Sequence, residues 1–196
     1  MSLILASSSP FRKAILDKLG LDFEVVAPKI NEDRRVNESP IDLVTRLSKE
    51  KAVAVAKSKT GLIIASDQVA TLDTGYKAND SVLTKPGSHK NAFLQLKKSS
   101  GKTVNFLTGL VLMNTKNLNT QVHVEHFKVS FKTLSDNQIL KYLSKEDVLN
   151  CAGSFKSEGL GIALFTEMEG NDPNSLIGLP TIQLIDMLAK ENVLVL

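Results

Sequence analysis

Eight residues, Leu62-Ile63-Ile64-Ala65-Ser66-Asp67-Gln68-Val69, limit what this chain can fold into more than any other stretch. Leu62 to Ala65 is an unbroken apolar run behind Thr60-Gly61. A run this short, rich in Ile and bounded by Gly, reads as a strand buried on both faces. It is expected to stop at Ser66-Asp67-Gln68, where the strand emerges from the core. A carboxylate at the carboxyl end of a buried strand sits where open α/β sheets keep their ligand crevices. Asp67 is therefore the first candidate functional residue; the competing reading is an Asp that merely starts a turn.

The N-terminus repeats the theme. Leu3 to Ala6 is a short apolar strand running into Ser7-Ser8-Ser9-Pro10. Ser9 supplies an N-cap hydroxyl and Pro10 a pre-set φ, so a helix starts there, carries Ile15, Leu16 and Leu19 and closes at Gly20. Strand, polar turn and helix N-terminus together present unpaired N–H groups to a phosphate. Arg12 and Lys13 fall in the first helical turn, where positive charge opposes the helix dipole, so a polyphosphate clamp is one explanation and solvated surface charge the other.

Leu21 to Ala27 reads as a second strand ended by Pro28, and Lys29 to Glu38 as a polar loop whose Glu32 and Asp33 could hold a divalent cation. Ser39-Pro40 starts another helix, expected from about Pro40 to Lys57, with Asp42 completing a capping box. Leu43, Leu47 and Ala54 share a face, and Lys51 lies on the same stripe. It either snorkels to solvent or points toward Asp67. Replacing Lys51 or Lys85 by Met is expected to leave stability almost unchanged.

Asp73 to Asp80 is a turn-rich excursion read as a hairpin, and Lys85 precedes a stiff Pro86-Gly87 turn. Ser88 caps a helix carrying Ala92, Phe93 and Leu96. Val104 to Leu112 alternates as a long strand that pairs with a second strand after the 114–119 turn. In that second strand Val122 and Val124 are out of phase with Phe127, Val129 and Phe131, which predicts a bulge near Glu125-His126. Ser135 to Gln138 caps another helix. Asn150 to Gly161 holds three glycines without a Walker or dinucleotide pattern. Ile162 to Phe165 is read as starting a last strand, Asp172-Pro173-Asn174 as a turn, and Gly178-Leu179-Pro180 as the start of a last helix.

Strand patterns alternating with helical ones predict an α/β class, a single domain over 1–196, with two lobes. The net charge of +3 is too small for a nucleic-acid coat, though clustered cations would suit a small polyanion. One cysteine, Cys151, fits a reducing compartment, and no apolar segment approaches 18 residues, so a soluble cytoplasmic protein without nucleic-acid or membrane partners is expected.

Leu5-Ala6-Ser7-Ser8-Ser9-Pro10 with Arg12, Arg46-Leu47 with Lys51-Ala52, Ser66-Asp67 with Lys85-Pro86, and Ala152-Gly153 with Gly178-Leu179-Pro180 resemble the Maf family of nucleotide pyrophosphatases nearly end to end. Gln68, the 155–159 run Phe-Lys-Ser-Glu-Gly and Asp172-Pro173-Asn174 resemble the subgroup acting on 7-methyl-GTP, whereas relatives acting on dTTP and UTP tend to carry Thr for Gln68 and Gln for Glu158. The resemblance implies a mixed twisted sheet with helices on both faces, Maf/ITPase-like, with two lobes around a central cleft. It implies hydrolysis of a nucleoside triphosphate between its α and β phosphates, with Mg2+ or Mn2+ and a homodimeric assembly as accompanying expectations. Asp67 would be proton acceptor or metal ligand, with Glu32 as the second acidic ligand. Ser7, Arg12, Lys13, Lys51 and Lys85 would bind phosphate, and Phe11, Gln68 and Glu158 would read the base. Lys13 stands where the family often has Arg, and Asn31-Glu32 stands for an acidic pair. The alternatives are a dTTP/UTP pyrophosphatase and a non-catalytic nucleotide-binding regulator tied to cell division.

Overall fold

The structure is a computed structural model that describes residues 1–196. Six strands form one mixed sheet. β1 (Leu3–Ala6), β2 (Phe23–Val26), β3 (Leu62–Thr71), β4 (Thr103–Asn114), β5 (Thr120–Phe131) and β6 (Phe165–Glu169) lie in the order β2-β1-β3-β4-β5-β6. β1 runs parallel to both β2 and β3, and the remaining pairs are antiparallel. The helices are α1 (Pro10–Asp17), α2 (Pro40–Ala56), α3 (His89–Ser99), α4 (Asp136–Leu143), α5 (Pro173–Ile177) and α6 (Thr181–Lys190).

Helices cover both faces, but unevenly along the strands. On one face Leu3, Leu5, Leu62, Ile64, Leu110 and Leu112 pack under Ile15 and Leu16 of α1 and Leu184, Met187 and Leu188 of α6. Farther along that face Ala70, Val104, Phe106, Phe127, Val129 and Phe131 pack under α3 and α4. The opposite face is covered by α2, whose Ala52 and Val55 meet Ile4, Ala6, Ile63 and Ala65, and whose Leu43, Val44 and Leu47 meet Val69 and Leu107. Two lobes result, one built on α1 and α6 and the other on α3 and α4.

Uneven coverage also accounts for the phase change in β5. The β4–β5 register is continuous from Thr103↔Ser130 to Met113↔Thr120, so the bulge expected near Glu125-His126 is not there. Val124 is apolar because it packs on the α2 side, and Phe127, Val129 and Phe131 are apolar because α3 and α4 cover the other face. Alternation reports which face is covered, and here the covered face changes partway along one regular strand. The single irregularity lies at Ser130/Phe131, against β6.

Other boundaries also moved. The excursion over 73–80 is a series of turns closed by one bridge, Ala70↔Leu83, and not a hairpin. The stretch Leu160–Leu164 is a 3-10 turn ahead of β6, because Gly161 donates its N–H back to Lys156 and coils the chain. Asp172-Pro173-Asn174 opens α5: Asp172 caps Asn174 N and also bonds Thr181 Oγ1 and Ile182 N at the start of α6.

The 28–38 loop is pinned to α2 through Arg46. Its Nε lies 2.6 Å from Glu38 Oε1, Nη2 is 2.9 Å from both Glu38 Oε2 and the Asp33 carbonyl, and Nη1 reaches Glu50. The Arg46 hydrogen bonds pull the Glu38 carboxyl down to about 2, against the opposing effect of burial. A carboxyl lowered on folding stabilises above its unfolded value of 4.5 and loses that contribution as pH falls from 4.5 toward 2. Stability measured by urea unfolding is expected to decline across that window. Arg46→Met should lower stability at pH 7 by roughly 1.5–3 kcal/mol, the scale of charged hydrogen bonds, and flatten the decline. An unaltered pH slope in the variant would assign the acid sensitivity to other carboxylates.

Candidate active site

β1 ends opposite Ala65, and β3 continues for six more residues paired with β4 on one side and, on the other, only bridged at Ala70 by Leu83. The stretch Asp67 to Val69, between the end of β1 and the Ala70–Leu83 bridge, lines a cleft of about 810 Å³ between the lobes. Asp67 therefore lies mid-strand and not at a strand end. The polar triplet Ser66-Asp67-Gln68 marks the point where a neighbouring strand stops; the chain itself stays extended to Thr71.

Alternation along β3 sends Asp67 to the α2 side and its neighbours Ser66 and Gln68 to the other. Directly across from Asp67 stands Gly109. A Cβ there would sit 2.6 Å from Ser48 Oγ and 2.7 Å from the Val44 carbonyl, so the missing side chain lets α2 lie close against the sheet. That approach brings Lys51 in. Its Nζ is 2.6 Å from Asp67 Oδ1 and 2.8 Å from a Glu32 oxygen, and Lys51 and Asp67 are only 5% and 7% exposed. The snorkelling reading of Lys51 is set aside, and so is the expectation that Lys51→Met would hardly affect stability, because it would strand a buried carboxylate. Asp67 Oδ2 takes no hydrogen bond and is not a buried orphan, so it opens to the cleft. Glu32 is held below the usual carboxylate range: its partial burial opposes this, but Lys51, then Lys85 and Arg12, prevail.

On the α1 wall the Ser7 hydroxyl accepts the Ser9 N–H and so shapes the turn, while Ser9 Oγ caps α1 at Arg12 N. Arg12 Nε donates to the Gly178 carbonyl at 2.8 Å, which also accepts from Ser66 Oγ at 2.9 Å. Burial lowers the Arg12 pKa, with Asp67 and then Glu32 opposing it. Gly178 has φ of 124°, and a Cβ there would lie 3.4 Å from Arg12 Nε. Lys13 corrects the sequence reading: it points away from the cleft, pairs with Asp17 at 2.8 Å and lies over Phe23. Helical spacing turns Lys13 about 100° beyond Arg12, which carries it past the cleft that Phe11 and Arg12 line. Lys85 lines the opposite rim, exposed and without an ion-pair partner.

Phe11, Gln68 and Glu158 line the same cleft. Glu158 is exposed, and the segment behind it is braced by α4 and the residue following it: Lys156 N donates to Tyr142 Oη at 3.1 Å and Leu160 N to Glu146 Oε1 at 2.9 Å. Gln68 Nε2 is already committed, to the carbonyls of Ser175 and Leu176 and to Thr108 Oγ1. Two contributors escaped the sequence reading, Thr108, which also donates to Ser175 O, and Arg34, while Asp172 reads from sequence as part of a turn and a subgroup motif but not as the cap of both α5 and α6. Asp172 carried a usable signal, an Asp before Pro, which is an N-cap with Pro at the first helical position.

A family model described as Maf-like protein matches residues 2–191. The chain belongs to the Maf family. It is 53% identical over 193 residues to a protein of Alcanivorax borkumensis named 7-methyl-GTP pyrophosphatase, covering 98% of this chain and 95% of that one. A protein of the same name from Pseudoalteromonas atlantica is 52% identical over 190 residues, covering 97% and 95%. Among solved structures, the Staphylococcus aureus Ham1 protein superposes with a TM-score of 0.54 at 12% identity, covering 98% and 100%, which is a likeness of fold. The Maf fold expectation, a mixed sheet with helices on both faces and a cleft between lobes, agrees with the structure. No helix is long and apolar enough to cross a membrane.

Proposed function

We infer that this Maf protein is a nucleoside triphosphate pyrophosphatase that hydrolyses 7-methyl-GTP to 7-methyl-GMP and diphosphate. The observation that carries this is identity of 52–53% across nearly the whole chain to proteins bearing that name. The cleft supports it: its lining combines Arg12, Lys51, Lys85 and the Asp67 carboxylate with the Phe11 ring and the exposed Glu158 carboxylate.

In the reaction a water attacks phosphorus, the bridging bond between the α and β phosphates breaks, and the water's proton passes to Asp67. Oδ1 is oriented by Lys51, which leaves Oδ2 as the accepting atom. Arg12, Lys51 and Lys85 supply positive charge for the departing diphosphate. Lys13 does not share in this, because it is engaged with Asp17.

No three His, Cys, Asp or Glu side chains converge in the structure. Glu32 and Asp67 each give one oxygen to Lys51 Nζ, and their other oxygens, hard carboxylate donors, suit Mg2+ or Mn2+ when phosphate oxygens complete the shell. Those two residues would hold the ion, which when bound neutralises phosphate charge. The nucleotide is the partner proposed here, in a cytoplasmic setting.

The base, 7-methylguanine, carries a positive charge. Glu158 would balance it and accept from the base N–H groups, and Phe11 would stack on the ring. Gln68 holds α5 through its amide N–H groups, leaving its Oε1 as the group for the base. Glu158→Gln is expected to lower the ratio of kcat/KM for 7-methyl-GTP over UTP by about ten- to a hundredfold, the worth of a charge-assisted hydrogen bond. An unchanged ratio would mean that Glu158 only shapes its loop. The assignment as a whole is tested by a nucleotide panel scored for diphosphate: 7-methyl-GTP should lead, and preference for dTTP or UTP, or no release at all, would overturn it.

A further inference from the structure

We propose that Arg34 is a positioning residue that locks together the two loops bordering the cleft, so that Glu32 and Lys85 keep a fixed separation across it. The proposal rests on the pyrophosphatase reading and adds a residue to it. Arg34 Nε donates to the Glu38 carbonyl at 2.8 Å, within its own loop. Nη1 donates to the Asp80 carbonyl at 2.8 Å and Nη2 to the Ala78 carbonyl at 3.0 Å, in the other loop. Each of the three nitrogens gives one N–H to a backbone carbonyl, so the guanidinium is held in place where it borders the cleft.

What it grips is a unit. Asp80 Oδ2 gathers Gly75 N, Lys77 N and Thr74 Oγ1, closing residues 74–80 on themselves. Holding Ala78 O and Asp80 O therefore holds that whole turn. Five residues beyond Asp80 comes Lys85, and two residues before Arg34 stands Glu32. Arg46 ties the 28–38 loop to α2 at the Asp33 carbonyl and at Glu38, whereas Arg34 ties that loop to the 74–80 turn, which is also held by Ile41 N to Gly75 O at 3.0 Å.

The test uses the full chain with 7-methyl-GTP and three variants: Arg34→Ala, Arg34→Lys and Glu32→Gln. Arg34→Ala should lower kcat/KM at least tenfold and speed hydrogen exchange at both 31–35 and 76–80. Arg34→Lys keeps the charge but reaches fewer carbonyls, so it should not restore the rate. In the Glu32→Gln background, Arg34→Ala should cost less than threefold, because the carboxylate it positions is already gone. Recovery by Lys, full additivity with Glu32→Gln, or unchanged exchange in the 76–80 turn would each overturn the clamp. Absence of diphosphate release by the unmodified protein would instead sink the activity reading, and the exchange measurement would still decide whether the loops are coupled.

Discussion

Asp67→Asn is expected to reduce kcat for 7-methyl-GTP by about 10²-fold or more while the protein stays folded. The amide matches the carboxylate in shape, so packing beneath α2 and opposite Gly109 is preserved. Lys51 keeps Glu32 as a partner, so no buried ammonium is stranded. What disappears is the capacity of Oδ2 to take a proton from water. The measurement is single-turnover diphosphate release beside a urea-unfolding curve. A folded variant with near-native rate would remove Asp67 from the chemistry and leave it as a partner for Lys51 alone.

Lys51→Met is expected to affect stability and rate together. The methionine can follow the aliphatic path of the lysine, but it leaves Asp67 buried without its only hydrogen-bond donor. Removing one partner of a buried ion pair costs about 3–5 kcal/mol, and the same change withdraws a cation from the leaving group. Adding Asp67→Asn should recover much of the stability, since an amide carries no charge to strand, but none of the rate. Comparison of urea midpoints and kcat/KM for the two singles and the double checks this. If Lys51→Met alone were as stable as the unmodified protein, water from the cleft would be replacing Lys51 at Asp67 Oδ1, and the ion pair would make no net contribution to stability.

Much of the fold was legible because its elements signal locally. Ser9-Pro10, Ser39-Pro40 and Ser135 to Gln138 each state a helix start, and each is one. The run from Leu62 announces a strand buried on both faces. The length of β3 was not legible, because a polar triplet inside a strand looks like its end unless the neighbouring strand's extent is known. β5 misled for a related reason: its alternation follows helices supplied by residues far away in the chain. At the site, Asp67, Lys51, Arg12, Glu32, Lys85, Phe11, Gln68 and Glu158 do border one cleft, and Lys13 does not. Arg34 gave no motif to notice. Its role depends on two carbonyls more than forty positions away, and carbonyls have no residue signature.

The engagement of Gln68 with α5 bears on how such a protein could change its substrate over evolutionary time. Its amide caps the carbonyls of Ser175 and Leu176, and Thr108 shares the load. A Thr at 68 is too short to reach both. Ser175 O would keep Thr108 Oγ1 and Gly178 N, but Leu176 O would lose its side-chain donor, at a cost of about 1–3 kcal/mol. A lineage moving toward another base would therefore cross a dip in stability unless α5 shifted first. The order of mutations matters: permissive changes around residues 173–178 open the route, and the recognition change follows.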